Sequence, residues 1–201
     1  MGRYTGPKHK HCRREGVPLC GSAKCPVLRN PNPPGQQGVR GRRKLSEYGI
    51  QLREKQKAKR MYGIFERQFR RLVTEAQKSK KATGEKLLQI LETRLDNVVY
   101  RLGFAPTRSM ARQLVSHGHV LVDGKKVNIP SYELVNGQTV TLAQKSLEIP
   151  LVKKTLEASK EESLPSWIER KGPVGKVAKL PSLEDFPQEI NQQLIVEYYS
   201  R

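Results

Sequence analysis

The residues best suited to coordination chemistry lie near the start of the sequence. His9 and Cys12 form one close pair, and Cys20 and Cys25 form a second. Two such pairs, separated by a short loop that contains Gly and Pro, can place four ligands tetrahedrally around one Zn²⁺ ion, which accepts both thiolate and imidazole. Because four protein ligands leave no open coordination position, the pattern predicts a structural zinc site and not a catalytic one.

Other interpretations of these residues stay open. His11 could replace His9 as the imidazole ligand, although it stands directly before Cys12. The cysteines could also be free thiols in a basic loop, and an iron–sulfur cluster fits less well because it usually takes four thiolates. The opening sequence, MGRYTGPKHK, lacks the apolar stretch of a secretory signal. An odd number of clustered cysteines in such a chain favours metal binding over disulfide bonds.

A second set of chemistry-bearing residues is basic and lies between residues 92 and 127. Its arginines fall on or near two consecutive predicted helices, outside the apolar positions that account for the core, and Thr107 can cap the second helix. A capped, basic helix N-terminus can hold a phosphate, and arginine adds bidentate contacts. We predict an RNA-binding surface here, the alternative being a solvated helix face. Its expected members are Arg94, Arg101, Thr107, Arg108, Ser109, Arg112, Gln113, His117, His119, Lys125 and Lys126.

A third set of basic residues follows the cysteines. Basic side chains far outnumber acidic ones between residues 40 and 60, and three more arginines lie off the apolar stripe of the next predicted helix. These positions predict a second RNA-binding surface, to which two arginines beside Cys12 would add a further contact. The expected members are Arg13, Arg14, Arg40, Arg42, Arg43, Lys44, Arg53, Lys55, Lys57, Lys59, Arg60, Arg67, Arg70 and Arg71.

The composition favours a polyanionic partner. The chain of 201 residues carries 38 Lys and Arg against 19 Asp and Glu, a formal net charge of +19. Such a charge exceeds what solubility needs and repels itself unless a nucleic acid neutralises it. No apolar stretch approaches the ~20 residues of a membrane span, so no membrane partner is expected. The sequence shows no Gly-rich phosphate loop, nucleophile elbow or HExxH motif, so we do not expect an enzyme.

The N-terminal half predicts loops and then helices. Pro and Gly punctuate residues 1–45 and exclude long regular elements. Ser46 is a predicted N-cap of a helix that stops near Gly63. A second helix should bury a stripe at i, i+4, i+7, i+8 and i+11. A third, capped by Thr83, should bury leucines and valines through Val99. The stripe of the second helix consists of Phe65, Phe69, Leu72, Val73 and Ala76.

The C-terminal half predicts a small α+β unit. A short helix, Arg108–His117, should end at Gly118, and Asp123–Gly124 should turn a hairpin within HVLVDGKKV. Asn136–Gly137 predicts a second hairpin. Residues 147–163 are weakly helical, and prolines then mark irregular chain with short strands such as 176–180. For the tail, INQQLIVEYYSR, we favour a helix over a strand. The fold class is therefore α+β with antiparallel strands.

Longer motifs carry a family resemblance. ETRLDNVVYRLGFAPTR and RQLVSHGHVLVDGKKVNIPSY resemble the RNA-binding module of small-subunit ribosomal protein four, of some pseudouridine synthases and of some tyrosyl-tRNA synthetases. MGRYTGP, NPPGQQG, LREKQKAKRMYGIFERQFRRL and IVEYYSR resemble the bacterial ribosomal family in its own order. The resemblance spans essentially the whole chain. An enzyme would append the module to a catalytic domain, whereas a free ribosome-associated RNA-binding factor remains the alternative.

The resemblance implies a domain organisation and a metal site. Residues 1–45 would form an irregular metal-binding segment, and residues 46–91 with about 188–201 a helical domain. Residues 92–187 would be an inserted α+β domain whose RNA-binding module spans about 92–155. Many family members carry four cysteines at the N-terminus. Cys12, Cys20 and Cys25 match three of them, and His9 stands at the position of the first. The loop between the two ligand pairs is shorter than in those members.

The resemblance also implies partners and a place of action. Family members bind a multi-helix junction in the 5′ domain of 16S rRNA and nucleate assembly of the small subunit. They lie near the path by which mRNA enters and contact ribosomal protein five, an interface that influences decoding accuracy. A cytoplasmic protein, present as a monomer within the ribosome, is therefore expected.

Overall fold

The computed structural model describes residues 2, 4–22, 24–30, 32–36, 38, 44–158 and 164–200. The chain divides into two compact units, Met1–Leu87 with Pro187–Arg201, and Leu88–Phe186. The first unit is helical, and the second combines helices with an antiparallel sheet. The predicted α+β class is therefore confirmed. None of the helices in the described ranges has the length and apolar character that crossing a bilayer requires.

The N-terminal segment contains more regular structure than its composition predicts. Helix α1 spans Lys8–Glu15 and ends at Gly16, whose φ of 78° is left-handed. A short 3-10 helix follows at Pro26–Leu28. The sequence analysis expected no long regular element here and missed α1. The proline-free stretch between Pro7 and Gly16 is just long enough for two helical turns. The consequence is that side chains three residues apart on α1 share one face.

Three further helices lie wholly in the first unit. Helix α2 spans Glu47–Met61, and the Ser46 hydroxyl accepts a hydrogen bond from the Gly49 amide at 3.2 Å, as predicted for an N-cap. Helix α3 spans Glu66–Gln77. The tail forms a helix, as favoured from sequence, at Gln192–Ser200. It packs against α2, burying Ile195 completely.

The apolar stripe of α3 is largely confirmed. Phe69, Val73 and Ala76 are buried, and Leu72 is half-buried. Phe65 is the exception, because it precedes the helix as its N-cap and remains 48% exposed. The periodic rule therefore fails at this residue, whose extended backbone does not follow the helical spacing.

The predicted third helix is in fact two helices. Helix α4 spans Thr83–Glu92 and helix α5 spans Leu95–Arg101. At the break, Arg94 adopts an extended ψ of 136° and forms an isolated bridge with Glu133. The amides of Leu95 and Asp96 donate to the carbonyls of Tyr132 and Pro130 in place of the helical hydrogen bonds that would continue α4. Apolar spacing cannot show this interruption because both helices bury the same kind of side chain.

The first hairpin of the second unit forms as predicted. Helix α6 spans Arg108–Ser116, and Gly118 beyond it has a φ of 72°. Strands β1, Val120–Val122, and β2, Lys125–Lys126, then pair antiparallel. The turn residues Asp123 and Gly124 have φ values of 49° and 76°, which matches the type I′ turn that Asp-Gly favours.

The second predicted hairpin is wrong. Strand β3 spans Thr139–Leu142, but within the described residues its partners are β1 and strand β5, Val174–Val177. Residues before Asn136 form no strand there, because the Leu134 amide donates to Thr93 at the helix break. β5 overlaps only the start of the strand predicted at 176–180. With β4, Ile168–Lys171, the antiparallel sheet has the order β2-β1-β3-β5-β4.

Two short helices and an apolar core complete the second unit. Helix α7 spans Gln144–Leu147, and α8, Pro150–Ala158, lies in the weakly helical stretch. The core joins α5, α6 and the sheet, with Trp167 and Phe104 fully buried. Gly175 on β5 permits this packing, because a Cβ there would stand 2.5 Å from a methyl carbon of Leu102.

Candidate metal centre and nucleic-acid interface

The four predicted metal ligands converge. One ligand atom from each of His9, Cys12, Cys20 and Cys25 lies within 4.8 Å of the other three. Helix α1 places His9 and Cys12 on one face, and the Cys25 Sγ lies 3.9 Å from the His9 Nδ1. A tetrahedral site with Zn–S bonds of about 2.3 Å separates its ligand atoms by roughly 3.5–3.8 Å. The spacing therefore fits a metal such as zinc with little adjustment.

The donor chemistry also fits a closed structural site. Cys12 and Cys25 are each 1% exposed, and the three thiols are free. Burial, with a contribution from the adjacent Cys20, raises the pKa of the Cys12 thiol to about 12. A bound cation would reverse this cost by replacing the thiol protons. The cluster could bind a metal such as zinc with all four positions occupied by the protein.

The two arginines that follow Cys12 do different things. Arg13 donates to the carbonyls of Asn32 and Pro33, at 2.9 and 3.2 Å, and so ties α1 to the Pro-rich loop. Arg14 is exposed. Nearby, burial and then the charges of Arg60 and Lys10 lower the pKa of the His11 imidazole. Of the two arginines predicted to bind RNA here, Arg13 therefore already forms hydrogen bonds within the protein.

Most of the α2 cations meet carboxylates that reach them from other elements. The side chain of Glu15, 1% exposed, pairs with both Arg53 and Arg60. It comes from α1, outside the stretch in which basic residues outnumber acidic ones. One buried carboxylate thus neutralises part of the charge that the sequence assigns to RNA.

The lysines of α2 are also paired with carboxylates, two of them with one on α3 and Lys57 with one on α2 itself. Lys55 and Lys59 both donate to Glu66 on α3, at 2.6 and 2.8 Å, and Tyr199 on the tail helix donates to it at 2.9 Å. Burial would raise the Glu66 pKa, but these three hydrogen bonds outweigh it and hold the pKa at about 2. Lys57 pairs with Glu54 at 2.8 Å. Lys55, with a side chain 5% exposed, is effectively inside the unit.

Of the predicted RNA-binding cations on α2 and α3, the exposed ones lie on α3. Arg67, Arg70 and Arg71 are all exposed, on the side opposite the buried stripe, and Lys44 is exposed before α2. Arg40, Arg42 and Arg43 were predicted to bind RNA and lie outside the described residues.

In the second unit, a buried carboxylate binds two of the predicted arginines. The Asp96 carboxylate accepts both Nε and Nη2 of Arg94, at 3.0 and 2.8 Å, and lies 3.7 Å from Arg112. Arg94 is 2% exposed, so the expectation that all four arginines lie outside the core is wrong for it. The extended backbone at the helix break turns its side chain inward, where Asp96 compensates the charge. Arg112, 13% exposed at its side chain, reaches the edge of the unit.

A second buried carboxylate positions the other two arginines. The fully buried Glu92 accepts two hydrogen bonds from Arg101, at 3.0 and 2.7 Å, and one from the Asn97 amide at 2.7 Å. The Asn97 oxygen accepts from Arg108 Nε at 2.8 Å. The Arg108 guanidinium also lies 4.5 Å from the Tyr100 ring centre, in cation–π geometry. Sequence analysis missed Glu92, Asp96, Asn97 and Tyr100, although acidic residues spaced along two basic helices could have indicated them.

The start of α6 is organised as predicted. The Thr107 hydroxyl accepts from the Met110 amide at 3.3 Å. Ser109 and Gln113 are exposed on this helix, and Arg108 is half-buried. The structure therefore brings a hydroxyl cap and a held guanidinium together at one helix start.

The remaining predicted residues surround the hairpin. Lys125 and Lys126 are exposed on β2, and His117 is exposed at the end of α6. His119 is tied inward, because its Nδ1 lies 2.9 Å from the Ser146 hydroxyl. Gly118 lies against the Lys126 side chain, because a Cβ at this position would meet the Lys126 Cε.

Comparison with known proteins matches both units. Residues 3–92 match the family model described as the ribosomal protein S4/S9 N-terminal domain, and residues 93–140 match the S4 domain. Proteins named small ribosomal subunit protein uS4 are 54% identical in Dictyoglomus turgidum, 52% in Brevibacillus brevis and 49% in Thermus thermophilus. Each of these matches covers 100% of both chains. The chain therefore belongs to the uS4 family of ribosomal proteins.

Proposed function

We propose that this protein is a structural component of the small ribosomal subunit that binds 16S rRNA directly and nucleates assembly of the subunit. The observation that carries the proposal is the 49–54% identity to uS4 proteins over the whole chain. Its RNA-binding S4 domain supports rRNA as the partner. The net charge of +19 gives the electrostatic attraction that such a partner requires.

Two sets of side chains would contact the RNA. In the first unit these include the exposed arginines of α3, since most of the α2 cations already pair with carboxylates of the protein. In the second unit they are Arg108 and Arg112 with Lys125 and Lys126, while Arg101 and Arg94 sit against their carboxylates. Held guanidinium groups lose little freedom on binding, so they suit recognition of phosphates in a folded junction.

The metal would be structural. His9 and the three cysteines would hold one Zn²⁺ and order the segment that carries Arg13 and Arg14. Because that segment contributes few apolar core residues of its own, coordination would supply most of its folding free energy. No reaction is assigned to the site, and we propose no catalytic activity for the chain.

The finer aspects of the role rest on the family resemblance. The protein would act in the cytoplasm, as one copy per ribosome, beside ribosomal protein five and other small-subunit proteins. It would lie near the mRNA where the mRNA enters the subunit. Through the contact with ribosomal protein five it would influence the accuracy of decoding.

Equilibrium binding to a transcript of the 16S rRNA 5′ domain tests the proposal. The purified, zinc-loaded chain is titrated across a salt series with total tRNA as competitor. Tight binding that survives the competitor, with a steep dependence on salt, is the expected result. Weak binding that is equal for both RNAs would contradict a primary rRNA-binding role.

A free ribosome-associated factor with the same module is the alternative. The full-length match of both units favours the ribosomal component, because a factor would need only the module. Co-sedimentation with mature small subunits through a high-salt wash separates the two. A core component remains bound, and a transient factor is removed.

A further inference from the structure

A basic pocket with an aromatic wall lies in the first unit. It has a volume of about 290 Å³ and is lined by Tyr4, Lys10, His11, Arg14, Pro34 and Arg60. Three of these residues lie on α1, the helix that also carries two metal ligands. The pocket therefore rests on a segment whose order the metal would maintain, but none of its lining residues belongs to the candidate ligand set.

The aromatic wall consists of two adjacent rings. The ring centres of Tyr4 and His11 are 4.4 Å apart, and their planes are inclined by 51°. Tyr4 is 41% exposed, which is high for an aromatic side chain that already has a ring neighbour. Rings held in this way present π-surface on which a planar base can stack, whatever the base is.

The polar wall is cationic. Lys10, Arg14 and Arg60 line the pocket, and among the residues that the structure describes no acidic side chain does. Arg60 shares the Glu15 carboxylate with Arg53, so one buried negative charge serves two guanidinium groups. An excess of positive charge therefore remains, and it favours an anion next to the aromatic wall.

We propose that this pocket binds one unstacked nucleotide of an RNA chain, with its base against Tyr4 and His11 and its phosphate at Arg14, Lys10 and Arg60. The inference rests on the proposed RNA-binding function and specifies a contact within it. The volume suits a single nucleotide and is too small for a paired duplex segment. Single-stranded loops and bulges are the parts of a folded RNA that can present such a base.

Two pairs of variants test the pocket in the full-length, zinc-loaded protein. Tyr4→Leu removes the ring, and Tyr4→Phe keeps it. Arg14→Gln removes one pocket cation, and Arg29→Gln removes the same charge from an exposed position of the same segment outside the pocket. Tyr4→Leu should weaken binding to the 5′-domain transcript by about tenfold, and Tyr4→Phe should not. Arg14→Gln should weaken binding more than Arg29→Gln does.

Ultraviolet crosslinking supplies a second readout that does not depend on affinity. A base stacked on Tyr4 or His11 should form a zero-length crosslink to a peptide from residues 4–14, detected by mass spectrometry after digestion. If the transcript binds tightly, yet no such crosslink forms and Tyr4→Leu equals Tyr4→Phe in affinity, the pocket assignment is overturned while the ribosomal function stands.

Titration with 5′-AMP separates a nucleotide of RNA from a free nucleotide. Weak or absent AMP binding, together with the crosslink to the transcript, supports the proposal. Saturable AMP binding that Tyr4→Leu abolishes, in a protein that does not prefer the transcript over tRNA, would overturn it in favour of a free-nucleotide site. In that case the proposed rRNA function would fail as well.

Discussion

In the first unit, most of the α2 cations meet glutamates from other elements, whereas in the second unit the arginines surround carboxylates from their own neighbouring helices. Glu15 and Glu66 draw α2 charges inward against α1 and α3. Glu92 and Asp96, by contrast, lie close in sequence to the arginines that they bind, and Glu92 also holds Asn97, which accepts a hydrogen bond from Arg108. The ion pairs of the first unit therefore join separate elements, whereas those of the second unit position the side chains of one short stretch of chain.

The two regions also differ in what maintains their order. The second unit has a continuous apolar core that includes Trp167 and Phe104. The N-terminal segment of the first unit has few buried apolar residues, chiefly Leu19 and Val27 with two of its cysteines. We therefore expect metal removal and core truncation to affect different parts of the chain.

Metal removal should have the largest effect. Chelation, or Cys25→Ser, removes a stabilisation that in structural zinc sites is on the order of 10 kcal/mol. Trypsin should then cleave within residues 8–30. Fluorescence of Trp167, the single tryptophan, should not change. If the native Trp167 signal were lost together with the metal, the second unit would also depend on the metal, which would contradict the comparison.

Core truncation should destabilise the second unit and leave the metal-binding segment intact. Phe104→Ala removes a fully buried ring and should lower the free energy of unfolding of the second unit by about 3–5 kcal/mol. Urea denaturation followed by Trp167 fluorescence measures the change. Val135→Ala, at a residue that is 58% exposed, is the control and should have little effect.

Glu92→Gln should disturb both stability and binding. It removes the charge that faces Arg101 and loosens Asn97, which holds Arg108. We expect a loss of about 2–3 kcal/mol, since Arg101 is partly exposed, and weaker rRNA binding under conditions where the protein is folded. Glu169→Gln, at an exposed position of β4, is the control. Equal rRNA affinity of folded Glu92→Gln and wild type would refute the positioning role.

Protonation of Glu66 should lower the stability of the first unit at acidic pH. Its pKa is about 2 when folded against an ordinary 4.5, so the stabilisation is complete above about pH 4.5 and is lost as pH falls toward 2. The carboxylate is 45% exposed, and solvent screening keeps the effect small. Helical circular dichroism in urea at pH 5 and pH 3 should show a smaller difference for Glu66→Gln than for Glu75→Gln.

Local signals in the sequence predicted much of this architecture. The Ser46 and Thr107 caps, the Asp123–Gly124 turn and the convergence of the four metal ligands depend on neighbours close in sequence. For such features, residue type and spacing determine the geometry directly.

What sequence analysis missed depends on distant partners. Glu15 lies 38 positions from Arg53, so counting charge along α2 could not include it. The break before α5 arises from pairing with residues 130–134, which also removes the second hairpin. Arg94 is buried for the same reason, since the break turns its side chain toward Asp96. Net charge therefore predicted a polyanionic partner but not which cations are exposed and which are paired within the protein.

The salt dependence of rRNA binding tests that distinction most directly. A variant with Arg67→Gln, Arg70→Gln and Arg71→Gln removes the exposed cations of α3. Lys59→Gln removes a paired cation of α2 and leaves Glu66 with Lys55 and Tyr199. The plot of log K against log salt for the 5′-domain transcript has a negative slope. Its magnitude should decrease by about two to three in the first variant and change little in the second. An unchanged slope in the α3 variant, with a clear decrease in Lys59→Gln, would contradict the assignment of the RNA surface to α3.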